Sequence, residues 1–243
     1  MHNVTITRIS RGGALTVIAA AALLASGCTN GGSQDSADVV AGKQLFVKNC
    51  GACHVLRRAG TKGTVGPNLD SAFVNAHEER QGDDAIRGVV LGQILYPGRG
   101  GVMPAKLVDG EHANDIAAYV SEVVAKPGTD AGLLATAVKA AGSGKPIAAQ
   151  NGVLSIAADP GGQLAYVSKL ATATPGPIEL QMPNRSGIDH NLVVEGNGVK
   201  IATPVIKTGV AKANGTLKAG EYAFYCSVPG HRAGGMEGKL SVK

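Results

Sequence analysis

Five consecutive residues, Cys50-Gly51-Ala52-Cys53-His54, put two thiols three positions apart with an imidazole directly after the second. This is the C-x-x-C-H haem-attachment pattern. The thiols add across the two haem vinyl groups and the histidine becomes the proximal iron ligand. One helical turn sets both sulfurs along one porphyrin edge with the imidazole beneath. The competing chemistries need features that are missing here. Zinc would want a second Cys/His pair nearby, and a thioredoxin-type dithiol would stand between the strand and long helix of a βαβ unit.

A second constellation lies near the C-terminus, in Cys226-Ser227-Val228-Pro229-Gly230-His231-Arg232-Ala233-Gly234-Gly235-Met236. Four residues separate the cysteine from the histidine, and four more separate the histidine from the methionine. Upstream, Asp189-His190-Asn191-Leu192 opens a run of alternating apolar residues. Two imidazoles, one thiolate and a distant thioether form the trigonal blue-copper set, in which soft sulfur stabilises Cu(I) and imidazole suits both oxidation states. Along an extended strand Tyr222, Phe224 and Cys226 share one face, so the cysteine points inward beside a buried ring.

The elements that must position these residues differ between the two halves. Apolar spacing predicts helices over about 37–49, 83–95 and 111–125, the last carrying Ile116, Tyr119, Val120 and Val123 at i, i+3, i+4 and i+7. Gly/Pro-marked loops at 63–67 and 96–104 separate them. From residue 150 the texture changes to short runs, 153–156, 178–182, 192–195, 221–226 and 239–242, parted by Pro, Gly and Asn at spacings that suit a β-sandwich. Residues 126–149, rich in Ala, Gly and Lys, read as the linker, with a short helix possible near 131–141. As a flexible coil the segment would have an end-to-end distance of roughly 25–30 Å.

Together with the haem motif, Gly42, Leu45 and Phe46, then Gly66-Pro67-Asn68-Leu69, Gly101-Val102-Met103-Pro104 and Asp115-Ile116-Ala117-Ala118-Tyr119-Val120 resemble the class I cytochrome c family. The resemblance implies Met103 as sixth iron ligand, the Pro67 carbonyl as acceptor for the His54 ring proton, and Gly42 as the point where the Tyr119 helix crosses the first. His77 and His112 have no such context and read as solvated. The stretch 220–242 resembles the cupredoxin family, particularly plastocyanin-like domains. That resemblance implies His190, Cys226 and His231 as equatorial copper ligands, Met236 as the axial one, and Asn191 as a group beside the cysteine sulfur. Met182 reads as packing. The implied architecture is an all-α cytochrome c fold over 38–125 followed by an all-β cupredoxin Greek-key sandwich over 150–243.

The N-terminus adds an address. Arg8 and Arg11 precede an apolar run of 13 residues, 14–26, whereas a spanning helix needs roughly 20. This reads as an export signal over 1–27. Leu24-Ala25-Ser26-Gly27-Cys28 resembles the bacterial lipobox, with Ala25 where Leu is usual, and implies acylation of Cys28; an ordinary secretory signal is the alternative. A polar tether, 28–37, follows. Cys28 then takes lipid, Cys50 and Cys53 haem and Cys226 copper, which leaves no cysteine for a disulfide.

The formal charge of +5, or +3 without the signal, is mild. No basic cluster is interleaved with aromatics, which argues against nucleic acid. Both iron and copper have full coordination spheres in this reading, so neither offers the open position that catalysis would need. The expected function is a membrane-anchored, non-enzymatic electron carrier outside the cytoplasm. It relays single electrons between a donor and an acceptor protein, such as a quinol-oxidising complex and a terminal oxidase. The alternative is an accessory redox subunit of a terminal oxidase or reductase complex. Copper nitrite reductase is disfavoured, because that family has two cupredoxin domains and a further copper held by three histidines, one of which precedes the blue-copper cysteine. Tyr225 holds that place here. Opposite net charges, −1 over 35–126 and +3 over 150–243, predict transient docking of the two domains on a flexible tether.

Overall fold

The computed structural model describes residues 37–98 and 101–243. The expected signal segment, Cys28 and all of the tether except Ala37 lie outside them.

The first helix, α1 (Val39–Asn49), begins where the Asp38 carboxylate accepts the amides of Val40 and Ala41 at 2.8 and 2.9 Å, satisfying donors that the helix itself leaves free. It buries Phe46 and Val47. A hairpin of β1 (Val55–Leu56) and β2 (Thr61–Lys62) follows, closed by Gly60 N–H on the Arg57 carbonyl at 3.0 Å. This hairpin departs from the expected all-α domain. The haem motif leads straight into a tight reversal, and Thr61 Oγ1 accepts the buried Leu56 amide at 2.9 Å.

Two short helices, α2 (Leu69–Ala72) and α3 (Val74–Glu78), precede α4 (Asp83–Leu95) and α5 (Gly110–Val123). Asp109 caps α5 by accepting the His112 amide at 3.0 Å. The i, i+3, i+4, i+7 stripe of α5 is fully buried, and α5 packs on both α1 and α4. The α1–α5 crossing is very close: a Cβ on Gly42 would stand 2.1 Å from the Asp115 carbonyl oxygen. His77 is not merely solvated. It is half-buried, with Nε2 2.9 Å from the Val124 carbonyl oxygen, and ties α3 to the end of α5.

The linker does not behave as a free coil. After α5 the chain is held by Lys126 on Asp83 (2.8 Å) and by Asp130, which meets Lys43 at 2.9 Å, Arg58 at 2.7 Å and the Tyr119 hydroxyl at 3.0 Å. Over α6 (Gly132–Thr136) the carbonyls of Leu134 and Ala137 accept from Lys43 Nζ and Gln44 Nε2. These contacts lay the segment along α1.

The second domain contains β3 (Ile147–Ala148), β4 (Val153–Ser155), β5 (Leu170–Ala173), β6 (Gly176–Asn184), β7 (Val193–Gly196), β8 (Val199–Ala202), β9 (Gly209–Leu217), β10 (Gly220–Tyr225) and β11 (Glu237–Val242). Six strands form one sheet in the order β3-β5-β11-β10-β7-β8, and three form a second, β4-β6-β9. Alternation along β10 sends Tyr222 and Phe224 into the core, where Leu154, Leu180, Met182 and Leu240 also lie. Met182 is fully buried, as the packing reading expected.

Candidate functional site

Strand β10 delivers Cys226 at its end. The loop beyond it folds back on itself: Cys226 N–H bonds to the Met236 carbonyl at 3.1 Å, Met236 N–H to the His231 carbonyl at 3.0 Å, and His231 N–H to the Val228 carbonyl at 3.1 Å. Three of the four expected ligand positions are thereby fixed through the backbone. His190 comes from the segment leading into β7, the strand paired with β10 in the same sheet, and is itself paired with Ile206 through N–H···O bonds of 3.0 and 2.9 Å. Asn184 braces that turn, its Nδ2 donating to the carbonyls of Ile188 (2.7 Å) and Ile206 (2.8 Å).

The side chains converge. Cys226 Sγ is 3.5 Å from His231 Nδ1 and 3.9 Å from His190 Nδ1, and the two nitrogens are 3.1 Å apart. All three residues are buried. Met236 is fully buried in the apolar cluster that also holds Cys226. Burial, with the neighbouring His231, pushes the His190 imidazole down to about 4, and burial lowers His231 as well, against the pull of Asp189. Both rings are therefore neutral near pH 7 with lone pairs to offer. Burial pushes the Cys226 thiol up, while backbone amides of Asn191 and Val228 work in the opposite direction. Asn191 also braces the loop: its Oδ1 accepts the Ser227 amide at 2.8 Å. A thiol and two neutral imidazoles, shielded from water, suit a borderline-soft one-electron metal.

In the first domain α1 ends at Cys50, and the next turn carries Cys53 and His54. With Met103 they line a cavity of about 450 Å³ whose other walls are mostly apolar, including Phe46, Leu69, Phe73, Ile94, Ile116 and Val120. His54 Nδ1 stands 2.9 Å from the Pro67 carbonyl oxygen, which fixes the ring and leaves Nε2 as the free ligand atom. Gln93 Nε2 lies 3.8 Å from Met103 Sδ. Two thiols, an oriented imidazole and a thioether around an apolar slot fit a covalently held haem.

A family model described as Cytochrome c matches residues 39–123, and one described as Copper binding proteins, plastocyanin/azurin family, matches 154–243. The chain joins a cytochrome c domain to a cupredoxin domain. Among solved structures, reduced auracyanin from the photosynthetic bacterium Roseiflexus castenholzii is 26% identical, covering 38% of this chain and 98% of its own, with a TM-score of 0.35. Auracyanin A, a "blue" copper protein from the green thermophilic photosynthetic bacterium Chloroflexus aurantiacus, is 20% identical over 41% of this chain and all of its own, with a TM-score of 0.33. No curated protein matches the chain. The two domains imply haem c and copper as cofactors and make this an electron-transfer protein.

The sequence reading overlooked Asn184, Gln93 and Asp130. Asn184 opens a polar turn, Asn184-Arg185-Ser186-Gly187, whose composition marks a turn without indicating that it supports His190.

Proposed function

We propose that the protein is a membrane-anchored electron carrier outside the cytoplasm, holding one haem c and one type 1 copper and relaying single electrons between respiratory-chain partners. Cys50 and Cys53 hold the haem through thioethers, His54 and Met103 supply the axial ligands, and His190, Cys226, His231 and Met236 bind copper. The observation that carries this reading is the burial of His190, Cys226 and His231 with their donor atoms within 4.8 Å, in the same chain as a cavity lined by the haem motif. Each group, when bound, supplies a reversible one-electron couple. The protein's part is to fix the ligands and exclude water, so that little rearranges as the charge changes.

No helix among the described residues is long and apolar enough to cross a membrane, and the anchor proposed here is acylated Cys28. Anaerobic redox titration of the purified protein, following the haem and copper bands separately, tests the two centres. Both bands should appear and titrate as one-electron steps; absence of either overturns the reading. Cys28→Ser should move the protein from the membrane fraction to the soluble fraction.

A further inference from the structure

We infer that the haem-attachment motif and the copper-ligand loop are docked on each other within one chain, so that an electron moving between the two centres crosses this seam without leaving the protein. The inference rests on the reading of both centres given above and adds the route between them.

Four observations carry it. Ala52, between the two motif cysteines, packs against the apolar cluster that contains Cys226 and Met236. Gly230, immediately before His231, faces the loop after the motif: a Cβ there would stand 3.3 Å from Thr64 Oγ1. Gly51 and Thr61 on one side, with Leu164, Gly234 and Gly235 on the other, leave a space of only about 50 Å³, too small for more than a water or two. Finally, Gly162 lies on the last turn of α1. Its φ is +82°, and a Cβ would stand 2.5 Å from the Lys48 carbonyl oxygen, so only glycine lets the loop come this close. Its neighbour Gln163 donates to the Lys139 carbonyl at 2.9 Å.

The close contacts are made by uncharged groups, and the two charged residues that line the same space, Lys62 and Lys169, carry the same sign. The seam therefore does not depend on the opposite net charges of the domains, and docking is a fixed part of the fold rather than an encounter. His231 is only 8% exposed, and the residue before it contacts the haem domain. The transfer balances simply: one electron leaves one metal and arrives at the other, with no proton moved and no bond made. External donors and acceptors, proteins with one-electron centres of their own, supply and remove it.

The test uses the full-length protein loaded with both groups. After flash reduction of the haem, followed at the copper band, transfer should be first order, independent of protein concentration and insensitive to moderate salt. Gly162→Val should open the seam and slow transfer by roughly tenfold, in proportion to the docked fraction that remains, with both visible spectra unchanged. Gln163→Ala, a milder variant, should slow it less. A second readout follows neither band: in the same loaded protein, amide hydrogen exchange over residues 61–64 and 162–164 should be protected in the wild type and faster in both variants. Transfer whose rate scales with protein concentration, or variants that change neither rate nor exchange, overturns the seam. A missing haem or copper band would instead overturn the reading of that centre and leave the seam to be judged by exchange.

Discussion

Nδ1 of His190 lies 3.1 Å from Nδ1 of His231, with the two rings inclined at 61°. Two neutral imidazoles facing in this way either share one N–H or give both lone pairs to a cation. Nε2 of His190 is buried without a hydrogen-bond partner among the described residues, so the ring's binding capacity is concentrated at the facing nitrogen. Loss of groups that merely orient a metal ligand costs 10–100-fold in affinity, so His190→Ala should weaken copper binding by more than ~100-fold. Competition titration against a copper chelator measures this, and the intense thiolate-to-copper band should disappear in parallel.

Met103 and His54 line the same cavity. Met103→Ala should leave the haem covalently attached through Cys50 and Cys53 while removing the sulfur–iron charge-transfer band. The reduction potential should fall, because a thioether favours the ferrous state. An unchanged band in the oxidised spectrum would show that another group ligates the iron.

Gly42 can be tested through stability alone. Its Cβ would overlap the Asp115 carbonyl, so Gly42→Ala must push α1 away from α5. The expected loss is about 1–3 kcal/mol, the usual cost of overpacking a core, read from the urea midpoint of the first domain's transition. Helix propensity alone predicts a gain of about 1 kcal/mol, so the sign of the change decides between the two effects.

Asp130 gives a pH-dependent prediction. Burial works to raise its carboxyl, but hydrogen bonds from Lys43, Tyr119 and Arg58 outweigh that and hold it below the ordinary carboxylate range. A depressed folded value means that the unfolded chain takes up the proton first. The stabilisation is therefore fully present above about pH 4 and is lost as pH falls through the lower folded value. Asp130→Asn leaves the buried Lys43 uncompensated and should cost about 3 kcal/mol at neutral pH. The variant should also lack this part of the wild-type decline in acid, which calorimetry across pH 2–6 would record (~pH values bracketing the carboxylate range).

The segments that carry the candidate ligands stand out in the sequence because their chemistry is local. C-x-x-C-H and the Cys226–His231–Met236 spacing each lie within one turn or loop, and α1, α4 and α5 show a long helical period with capping or acidic residues at their starts. Helices α2 and α3, of four and five residues, are too short to display a period. Strand β9 escaped notice because Lys212, Asn214 and Thr216 alternate with small residues such as Ala211 and Ala213, leaving little apolar contrast. The linker's course was not legible at all. Asp130 finds its partners at Lys43, Arg58 and Tyr119, and neither composition nor spacing relates those positions before the chain folds.

That anchored course makes the length between the domains a dimension of the molecule. Residues inserted at 143–144 would break the bridge of Ser143 with Ser168 and the bond from Gly144 N–H to the Val167 carbonyl at 2.8 Å. The same insertion between Asp130 and Ala137 would shift the carbonyls that Lys43 and Gln44 grip. A chimera carrying a different copper module would thus succeed or fail on its surface loop at Gly162 and Gln163, however well its metal site were built. In that sense the segment works as a splint whose two ends are already set.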